Sequence, residues 1–499
     1  MTLQDVMELA NSNYSDLPPG WTKSAIEELI GHDGIFCDGD WVESKDQDPN
    51  GEVRLIQLAD IGDGFFKDQS DRFLTFKKSI ELNCTYLQKG DILVARLPDP
   101  LGRACIFPLS GIKKFVTVVD VCIIRNNSNL INSQYLLYLI NSPQTRLEVD
   151  KYKSGSTRKR ISRKNFAKIQ FPIAPLPEQH RIVEKIEELF SELDNGVASL
   201  KKALEQLKTY RQAVLKWAFE GKLTEKWRNT HQDSLEDGDT LLEQIKAERK
   251  RHYQQQLEDW KQALKEWENN GKETKKPTKP QQPKDLPPLT KEELSNLPSL
   301  PNGWAYTYLA YLGHLARGKS KHRPRNDKRL FGGKYPFIQT GEVKAAKGIL
   351  RNFSDTYSEF GLQQSKLWDR GTLCITIAAN IAETCFLGIQ ACFPDSIVGF
   401  KSSDNIVNSK FIDYFIQSIK SKIQAFAPAT AQKNINLTTL ENLIIPFCSL
   451  QEQTQIVQEI ESRLSVCDQL EATLTENLDK AEALRQSILK RAFEGKLVL

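Results

Sequence analysis

One segment of the chain has the spacing of a glycine-rich loop that binds phosphate. The pattern Gly-x-x-x-x-Gly-Lys-Ser is formed by Gly313, Gly318, Lys319 and Ser320. In such a loop, backbone amides at the start of a helix hold the phosphates, while the Lys and Ser side chains serve phosphate and Mg²⁺. Here Pro324 and a run of Lys and Arg follow the motif and disfavour that helix. A P-loop nucleotide-binding protein is therefore kept only as an alternative function.

The sequence has no other pattern that is typical of catalysis. It lacks His-Glu-x-x-His, Gly-x-Ser-x-Gly and the Asn-Pro-Pro-aromatic signature of amino methyltransferases. The six histidines are scattered, and the nine cysteines form no Cys-x-x-Cys pair. We predict no metal site and expect reduced, buried thiols. The chain is predicted to be non-catalytic and to hold no cofactor of its own.

Composition narrows the class of protein. The chain has 499 residues, of which 39% are hydrophobic and 26% charged, and its net charge is +4. These values exclude a disordered chain, a polycation and an acidic tail protein. Residues 1–16 lack the basic start and apolar core of a signal peptide, and no run approaches the ~20 apolar residues of a membrane span. We expect a cytoplasmic protein without a membrane partner.

Basic residues are concentrated in two segments. Residues 151–168 hold eight Lys or Arg and no acid, and residues 317–329 hold seven against one Asp. Gly, Ser, Thr and aromatic residues flank both segments. This composition favours the interpretation that the segments bind a polyanion over the alternative that they are only solvated surface. The predicted DNA-binding residues are Lys151, Lys153, Arg158, Lys159, Arg160, Arg163, Lys164, Arg317, Lys319, Lys321, Arg323 and Arg325. The two segments fall at different places in the two halves of the chain, which we expect if each half meets DNA differently.

An internal repeat defines the elements that must position these residues. Residues 176–223 recur at 450–497 without a gap, and 22 of the 48 positions are identical. Upstream, residues 17–21 (LPPGW) match residues 300–304 (LPNGW), and the rest corresponds more loosely. Each half therefore consists of a module of roughly 150 residues, predicted to be mixed α/β, followed by a segment that both halves share.

The repeated segments are predicted to be long helices. They contain apolar residues every seven positions, and proline is absent between residues 178 and 220, a pattern that favours a coiled coil. The predicted seam consists of Ile186, Leu193, Leu200, Leu207 and Val214 in the first helix and Ile460, Leu474 and Ile488 in the second. A helix of about 43 residues is roughly 65 Å long. Since both segments share one pattern, we expect them to pair with each other.

Two divergent modules on a rigid spacer predict a reader of a split DNA site. Antiparallel pairing of the helices would place the modules at opposite ends of a rod, and each would read its own short sequence. A coiled-coil scaffold that does not bind DNA is the other alternative. Between the halves, a charged segment with a helical pattern and a stretch with seven prolines at residues 274–301 are interpreted as a tether with a helical arm.

The chain resembles the specificity (S) subunit of type I restriction–modification enzymes over essentially its full length. The resemblance is carried by residues 17–21 and 300–304, by residues 175–183 (PLPEQHRIV) and 450–457 (LQEQTQIV), and by the two AFEGKL helix ends. It implies two target-recognition domains that each bind half of a bipartite site in double-stranded DNA. The charged and proline-rich segment 229–299 departs from the family pattern.

The resemblance also implies partners that carry the chemistry. Two modification (methyltransferase) subunits would bring S-adenosylmethionine, and two restriction (translocase/nuclease) subunits would bring ATP and Mg²⁺. We predict an α+β protein: two mixed α/β target-recognition domains in tandem, each followed by a long helix, the two helices pairing as an antiparallel coiled coil. The expected boundaries are 1–16 for an N-terminal segment, 17–175 and 300–448 for the domains, 176–228 and 449–499 for the helices, and 229–299 for the connection.

Overall fold

A computed structural model describes residues 17–98, 100–111, 114–155, 158–271, 276–280, 282, 285–403, 405–425 and 434–498. The chain forms two compact units, one of Met1–Leu204 with Ala472–Leu499 and the other of Glu205–Glu471. Each unit contains one α/β module and a part of each of two long helices. No helix among the described residues is long and apolar enough to cross a membrane.

The module of the first unit alternates short strands and helices. Its elements are β1 (Thr22–Ser24), α1 (Ile26–Leu29), β2 (Ile35–Asp38), β3 (Val53–Ile56), β4 (Phe73–Leu74), α2 (Phe76–Glu81), β5 (Ile92–Ala95), β6 (Ala104–Ile106), β7 (Lys114–Thr117), β8 (Val121–Arg125), α3 (Ser133–Ile140), α4 (Pro143–Lys151), α5 (Arg163–Phe166) and β9 (Phe171–Ile173). The first long helix, α6 (Leu176–Phe219), follows.

Two sheets and one ribbon build this module. One sheet has the strand order β2-β8-β5-β6 and is antiparallel, and the other has the order β4-β3-β7. The ribbon joins β1 to β9. Strand β5 is apolar throughout because both of its faces are buried: Ile92 and Val94 lie in one hydrophobic cluster, while Leu93 and Ala95 lie in another.

The second unit repeats this order with additions. After α7 (Glu225–Thr230), α8 (Gly238–Asn269) and α9 (Lys291–Ser295) come β10 (Ala305–Tyr308), β11 (Gly313–Arg317), β12 (Phe331–Phe337), α10 (Thr340–Ala345), β13 (Gly348–Leu350), β14 (Asp355–Tyr357), α11 (Glu359–Gln363), β15 (Leu367–Trp368), β16 (Leu373–Thr376), β17 (Thr384–Leu387), β18 (Ala391–Cys392), β19 (Ile397–Ser402), α12 (Ser409–Ser418), α13 (Lys420–Ala425), α14 (Leu437–Glu441), β20 (Ile444–Phe447) and the second long helix, α15 (Leu450–Phe493).

The sheets of the second unit correspond to those of the first. The order β11-β19-β16-β17-β13 repeats β2-β8-β5-β6 and adds one edge strand, and β14-β12-β18-β15 repeats β4-β3-β7 with one strand more. The ribbon β10–β20 repeats β1–β9. The mixed α/β modules predicted from the sequence are therefore present, and they share a topology.

Apolar patterns predict strand structure over residues 116–124 and one helix over residues 411–423, and the structure divides both. Residues 116–124 form parts of two strands, β7 and β8, because the chain turns at Val119 and Asp120. Residues 411–423 belong to two helices, α12 and α13, with Ile419 between them. The predicted burial of the thiols is confirmed for eight of the nine free cysteines, and Cys37 is half-buried.

The two long helices have equal length, 44 residues each. Within the first unit, the start of α6 packs against the end of α15, since Ile186 and Ile488 share one hydrophobic cluster. Within the second unit, Leu215 and Ile460 share another. Ile186, Val214, Ile460 and Ile488 are buried, and Leu193, Leu200, Leu207 and Leu474 are half-buried.

Two arginines interrupt the apolar pattern of these helices, and each forms ion pairs within one unit. Arg211 on α6 contacts Asp468 at 2.6 Å and Glu471 at 2.9 Å, both on α15. Arg485 on α15 pairs with Asp194 on α6 and lies over the ring of Phe190 at 4.3 Å. Because each charge has an opposite charge on the neighbouring helix, the arginines are compatible with close packing.

Candidate nucleic-acid interface

The first basic segment forms a tight hairpin. Ser154 and Arg160 exchange two backbone hydrogen bonds of 2.9 Å. Gly155 has a φ of +97°, and a Cβ atom there would lie 2.3 Å from the carbonyl oxygen of Arg158, so the hairpin requires glycine. Arg158 and Lys159 project from it and form no ion pair with any described residue. They are available for an anion outside the chain.

The other predicted residues of this segment differ in their surroundings. Lys151 pairs with Glu148 at 2.6 Å, and Lys153 pairs with Asp150 at 3.1 Å. Lys164 is exposed on α5. Since nearby carboxylates already compensate Lys151 and Lys153, these two lysines have less charge to offer a phosphate than the hairpin has.

Arg163 ties the segment to the edge strand β2. Its Nε atom lies 3.6 Å from a carboxylate oxygen of Asp38, and its Nη1 donates to the carbonyl oxygen of Phe36 at 3.2 Å. Arg96 approaches the same carboxylate at 3.4 Å. The end of β2 and the hairpin that the Ser154–Arg160 pairing closes are together called the first corner below. Arg163 holds the two parts of this corner together.

The second basic segment begins on the edge strand β11 and continues in a loop that its backbone fixes. The amide of Lys319 donates to Phe393 at 3.0 Å, and the Ser365 hydroxyl donates to the carbonyl oxygen of Lys319 at 2.8 Å. The amide of Lys321 donates to Gln364 at 3.1 Å. The side chains of both lysines are exposed. The end of β11 and this loop together are called the second corner.

The arginines of the second corner are partly engaged within the chain. Arg317 donates from Nε to the carbonyl oxygen of Asp395 at 2.8 Å, and Arg325 pairs with the carboxylate of the same residue at 3.0 Å. Arg323 donates to two carbonyl oxygens of its own loop, each at 2.8 Å. These contacts shape the loop. Among the described residues, Arg325 is paired with a carboxylate, whereas Arg317, Arg323, Lys319 and Lys321 form no ion pair.

The glycine-rich motif is not a phosphate-binding loop. Gly313 lies in strand β11 at the edge of a sheet, and the residues after Ser320 lead to a short 3₁₀ turn and strand β12, with no helix start at the motif. Gly318 is required for packing, because a Cβ atom there would lie 2.3 Å from the carbonyl oxygen of Pro394. The alternative of a nucleotide-binding site at Gly313–Arg317 and the loop after it is therefore wrong.

The two corners occupy equivalent positions in their modules. This is so although the basic segment lies near the end of the first module and near the start of the second. In the first unit, Val94 pairs with Cys122, and Cys122 pairs with Asp38. In the second unit, Ile375 pairs with Val398 in the same way, and Val398 pairs with Arg317. The end of β2 therefore corresponds to the end of β11. The two basic segments therefore differ in their place along the sequence, but folding brings each of them to the same corner of its module.

Sequence reasoning missed two further cations near strand β11. Lys401 stands opposite His314 in the β11–β19 pair and forms an ion pair with Asp369. Lys366 lies 3.9 Å over the ring of Trp368. Burial lowers the pKa of Lys366, and the nearby Lys401 and Lys319 lower it further. No sequence signal could have joined these residues, because they come from separate strands and loops.

Another group of exposed cations lies at the far edge of the same sheet. Lys344, Lys347 and Arg351 surround the added strand β13, beside the exposed side chains of Ile349 and Phe353. This strand has no counterpart among the described strands of the first unit. The second module consequently has exposed cations at both edges of its larger sheet, beside β11 and beside β13. In the first module, the basic hairpin lies at one edge, beside β2.

The motifs that repeat in the sequence build the junction between each module and its helix. The Trp21 indole donates to Glu178 at 3.1 Å, and the Trp304 indole donates to Glu452 at 2.9 Å. The next residue of each helix, a glutamine, accepts the backbone N–H of the residue that caps α3 or α12. These residues are therefore structural, and they attach a module rigidly to a helix start.

Metal-binding residues are not gathered in the part of the chain that the structure describes. No group of three or more His, Cys, Asp or Glu side chains there could hold a metal ion. The candidate site is the set of cations at the two corners, a type of surface that is typical of phosphate binding.

The chain is similar to several known proteins. A family model described as the type I restriction modification DNA specificity domain matches residues 19–207 and 301–480. The specificity subunit of the type I restriction enzyme EcoAI from Escherichia coli is 24% identical over 490 residues, which cover 91% of this chain and 79% of that protein. The EcoKI specificity subunit from E. coli K12 is 23% identical over 75% of this chain and 68% of its own. The EcoBI specificity subunit from E. coli is 27% identical, but this match spans only about half of each protein (48% and 50%).

Two solved structures show the same fold. A chain from a study of complex assembly and conformational transition of the type I R-M system aligns with a TM-score of 0.64 at 16% identity, covering 96% of this chain and 99% of that one. The HsdS subunit from Thermoanaerobacter tengcongensis aligns with a TM-score of 0.51 at 16% identity, covering 97% of this chain and 99% of its own.

Proposed function

Because the chain belongs to the type I restriction–modification DNA specificity family, we propose that it is the subunit that reads a bipartite DNA site. Each α/β module is a target-recognition domain for one half of the site. The observation that carries this proposal is the presence of exposed, uncompensated cations at the equivalent corner of both modules. Phosphate contacts at these corners would set the position of each domain on the duplex, and nearby loops would read the bases.

We further propose that α6 and α15 form an antiparallel coiled coil that fixes the gap between the two half-sites. The seven-residue spacing of the eight seam residues supports this, since all of them are buried or half-buried. The pairing of Arg211 with Asp468 and of Arg485 with Asp194 supports it as well, because it matches the start of one helix to the end of the other.

The chain acts in an assembly with double-stranded DNA in the cytoplasm. We propose two modification subunits, which bind S-adenosylmethionine and methylate DNA, and two restriction subunits, which use ATP and Mg²⁺. The chain itself is proposed to be non-catalytic. It selects the sequence and provides the scaffold on which its partners act.

Charge reversal at the first corner tests the function. Arg158→Glu with Lys159→Glu should weaken DNA binding at least tenfold and reduce the slope of log affinity against log salt by about two, because two phosphate contacts are lost. The control, Lys151→Glu with Lys153→Glu, changes net charge equally at residues that already have acidic partners, and its effect should be smaller. If Arg158→Glu with Lys159→Glu leaves the DNA affinity unchanged, the chain does not contact DNA at this corner, and the alternative of a scaffold is favoured.

A further inference from the structure

A surface cavity lies beside the first corner. Its volume is about 480 Å³, and it is lined by residues 40–43, 57–59 and 118–120. These segments follow strands β2, β3 and β7 of the first module. Strand β3 pairs with β7, and the Asp40 amide donates to the carbonyl oxygen of Thr117 at 2.8 Å. The backbone pairing therefore fixes the three walls of the cavity.

Backbone hydrogen bonds connect the basic hairpin to this cavity. Ile161, the residue after the hairpin, donates its amide to the carbonyl oxygen of Arg96 at 3.2 Å, and the Arg96 amide donates to the carbonyl oxygen of Asp120 at 2.9 Å. The Arg96 guanidinium also donates to the carbonyl oxygen of Val119. Val119 and Asp120 both line the cavity. A DNA backbone held by the hairpin would consequently pass close to the cavity.

The charges of the cavity do not suit a phosphate, because its lining includes the carboxylates of Asp40, Glu43 and Asp120. Asp40 accepts the amide of Thr85 through both of its oxygens, at 3.1 and 3.2 Å. Glu43 accepts the indole N–H of Trp41 at 3.2 Å. Asp120 is half-buried, and its carboxylate forms no hydrogen bond or ion pair with any described residue. Asp120 thus remains as an acceptor for a ligand.

Trp41 supplies an apolar surface at the same cavity. It is 68% exposed, more than any other large hydrophobic side chain among the described residues. Val42, Leu58 and Val118 also belong to the lining. An indole in water is stabilised when a partner covers it. An aromatic ring together with a free carboxylate matches a flat, uncharged group that donates a hydrogen bond.

The bases of DNA are flat, uncharged groups, and one of them fits a lone carboxylate best. In the major groove, cytosine presents the hydrogens of its amino group, whereas guanine and thymine present acceptors. Adenine presents an amino group next to the acceptor N7. A carboxylate only accepts hydrogen bonds, so it is repelled by the edges of guanine and thymine and by N7 of adenine. The free acceptor therefore favours cytosine.

We propose that this cavity is a base-reading site of the first target-recognition domain, in which Asp120 accepts a hydrogen bond from the amino group of a cytosine and Trp41 packs against the same nucleotide. This inference rests on the proposed function. It assigns phosphate binding to the hairpin and base recognition to the neighbouring cavity, so that the two tasks are divided between adjacent segments of one module.

The equivalent place in the second module has other chemistry. Since the end of β2 corresponds to the end of β11, Trp41 corresponds to Ser320. Asp120 directly precedes β8, and Ser396 directly precedes the equivalent strand β19. Both residues of the proposed base contact are therefore replaced by serine in the second module. The cytosine contact accordingly belongs to one half of the DNA site alone.

The motif of methylated adenines reports which base is read. Asp120→Asn, in the full-length chain assembled with its modification subunits, should relax the motif at one C·G position of one half-site, because asparagine offers both an acceptor and a donor. The control Asp33→Asn also removes a carboxylate charge from the first module, at a side chain that is 89% exposed and lies before the opposite end of β2. It should leave the motif unchanged.

DNA affinity separates a base contact from a phosphate contact. Between DNA with the parental motif and DNA in which that C·G pair is T·A, the affinity of the parent should differ about tenfold and that of Asp120→Asn by less than about threefold. Trp41→Ala should bind the motif about tenfold more weakly with an unchanged salt slope, since no phosphate contact is lost. Thermal unfolding of Trp41→Ala should match the parent, because the side chain is exposed.

The outcomes distinguish this inference from the proposed function. A parental motif and a parental C·G preference in Asp120→Asn would overturn the cytosine contact, as would relaxation at an A·T position or the same relaxation in Asp33→Asn. If Asp120→Asn no longer supports methylation, an affinity that falls by the same factor on both DNAs would overturn it too. Parental affinity of Trp41→Ala would overturn the packing on the nucleotide. In all these cases the bipartite motif of the parent leaves the proposed function intact, whereas its absence would overturn that function.

Discussion

The edge-strand ends of the two corners have the same backbone and opposite charge. Asp38, Gly39 and Asp40 of the first unit stand where Arg317, Gly318 and Lys319 stand in the second. Both glycines donate a backbone hydrogen bond of 2.8 Å at equivalent places, to Val121 and Ile397. A Cβ atom on either glycine would lie 2.3 Å from a carbonyl oxygen of the strand connection beside it.

The fold therefore requires glycine at positions 39 and 318, whereas the charges of the residues on either side of these glycines can change. At the first corner, acids occupy the edge strand and the cations come from the hairpin of residues 154–160 and from Arg163. At the second corner, the edge strand and its loop supply the cations themselves. Two domains that must recognise different sequences can therefore present phosphate-binding groups from different segments on one scaffold.

The junctions between module and helix show the opposite behaviour. The Trp–Glu pair and the following glutamine are present in both units with nearly the same hydrogen bonds. The second junction adds Arg228, whose Nη2 lies 2.7 Å from Glu452, so that this carboxylate is fully buried with an opposite charge. Glu178 in the first junction is half-buried.

The largest expected effect concerns this difference between the junctions. Arg228→Leu should reduce the free energy of unfolding by about 4 kcal/mol, because it leaves the buried charge of Glu452 without its partner. The control Lys222→Leu removes an exposed charge and should change the free energy of unfolding by less than about 0.5 kcal/mol. Urea unfolding measures both. Equal effects would mean that the second junction does not depend on the buried ion pair.

The shared backbone of the corners predicts a slightly smaller effect. Gly39→Ala and Gly318→Ala should each destabilise the chain by about 3 kcal/mol, because the added methyl group would overlap a backbone oxygen. Gly341→Ala, in helix α10 with open space around it, should be neutral or should stabilise by about 0.5 kcal/mol. Thermal and urea unfolding distinguish these outcomes. A neutral Gly318→Ala variant would contradict the equivalence of the two corners.

The smallest effect follows from the acid at the first corner. Burial raises the pKa of Asp40 to about 6, above its value of about 4 in the unfolded chain. The folded state then holds a proton that the unfolded state releases, so this residue's contribution to stability is lost as the pH rises from about 4 to 6. Asp40→Asn should therefore gain stability relative to the parent over that range. A stability difference that does not change with pH would contradict the assignment.

The repeat and the heptads allowed much of the fold to be predicted. The start of helix α6 was expected at residue 176, and its 44 residues are close to the expected length of about 43, because seven-residue spacing and the absence of proline are local signals. The division at Ile419 was missed, since the apolar pattern continues across it. The helical arm between the halves was expected from its pattern, but its anchoring to the second module was missed, because that contact depends on Tyr311, which lies far from α8 in sequence.

The candidate site could be predicted only in part. The hairpin and the loop after β11 were found because their charges are consecutive in sequence. Lys401 was missed because strand pairing places it opposite His314, and Lys366 was missed because only the tertiary fold brings it near Lys401 and Lys319. The tertiary fold also brings Asp38 to Arg163 and Asp395 to Arg325. These acidic partners determine how much of each arginine's charge remains available for DNA.

The central claim is that two domains read two halves of one DNA site, and a map of methylated adenines tests it most directly. DNA from cells that contain the chain together with its modification subunits should carry methylated adenines in a motif of two short sequences separated by a fixed gap. DNA from matched cells that lack only this chain should lose that motif. An identical methylation pattern in both, or a single uninterrupted motif, would contradict the account.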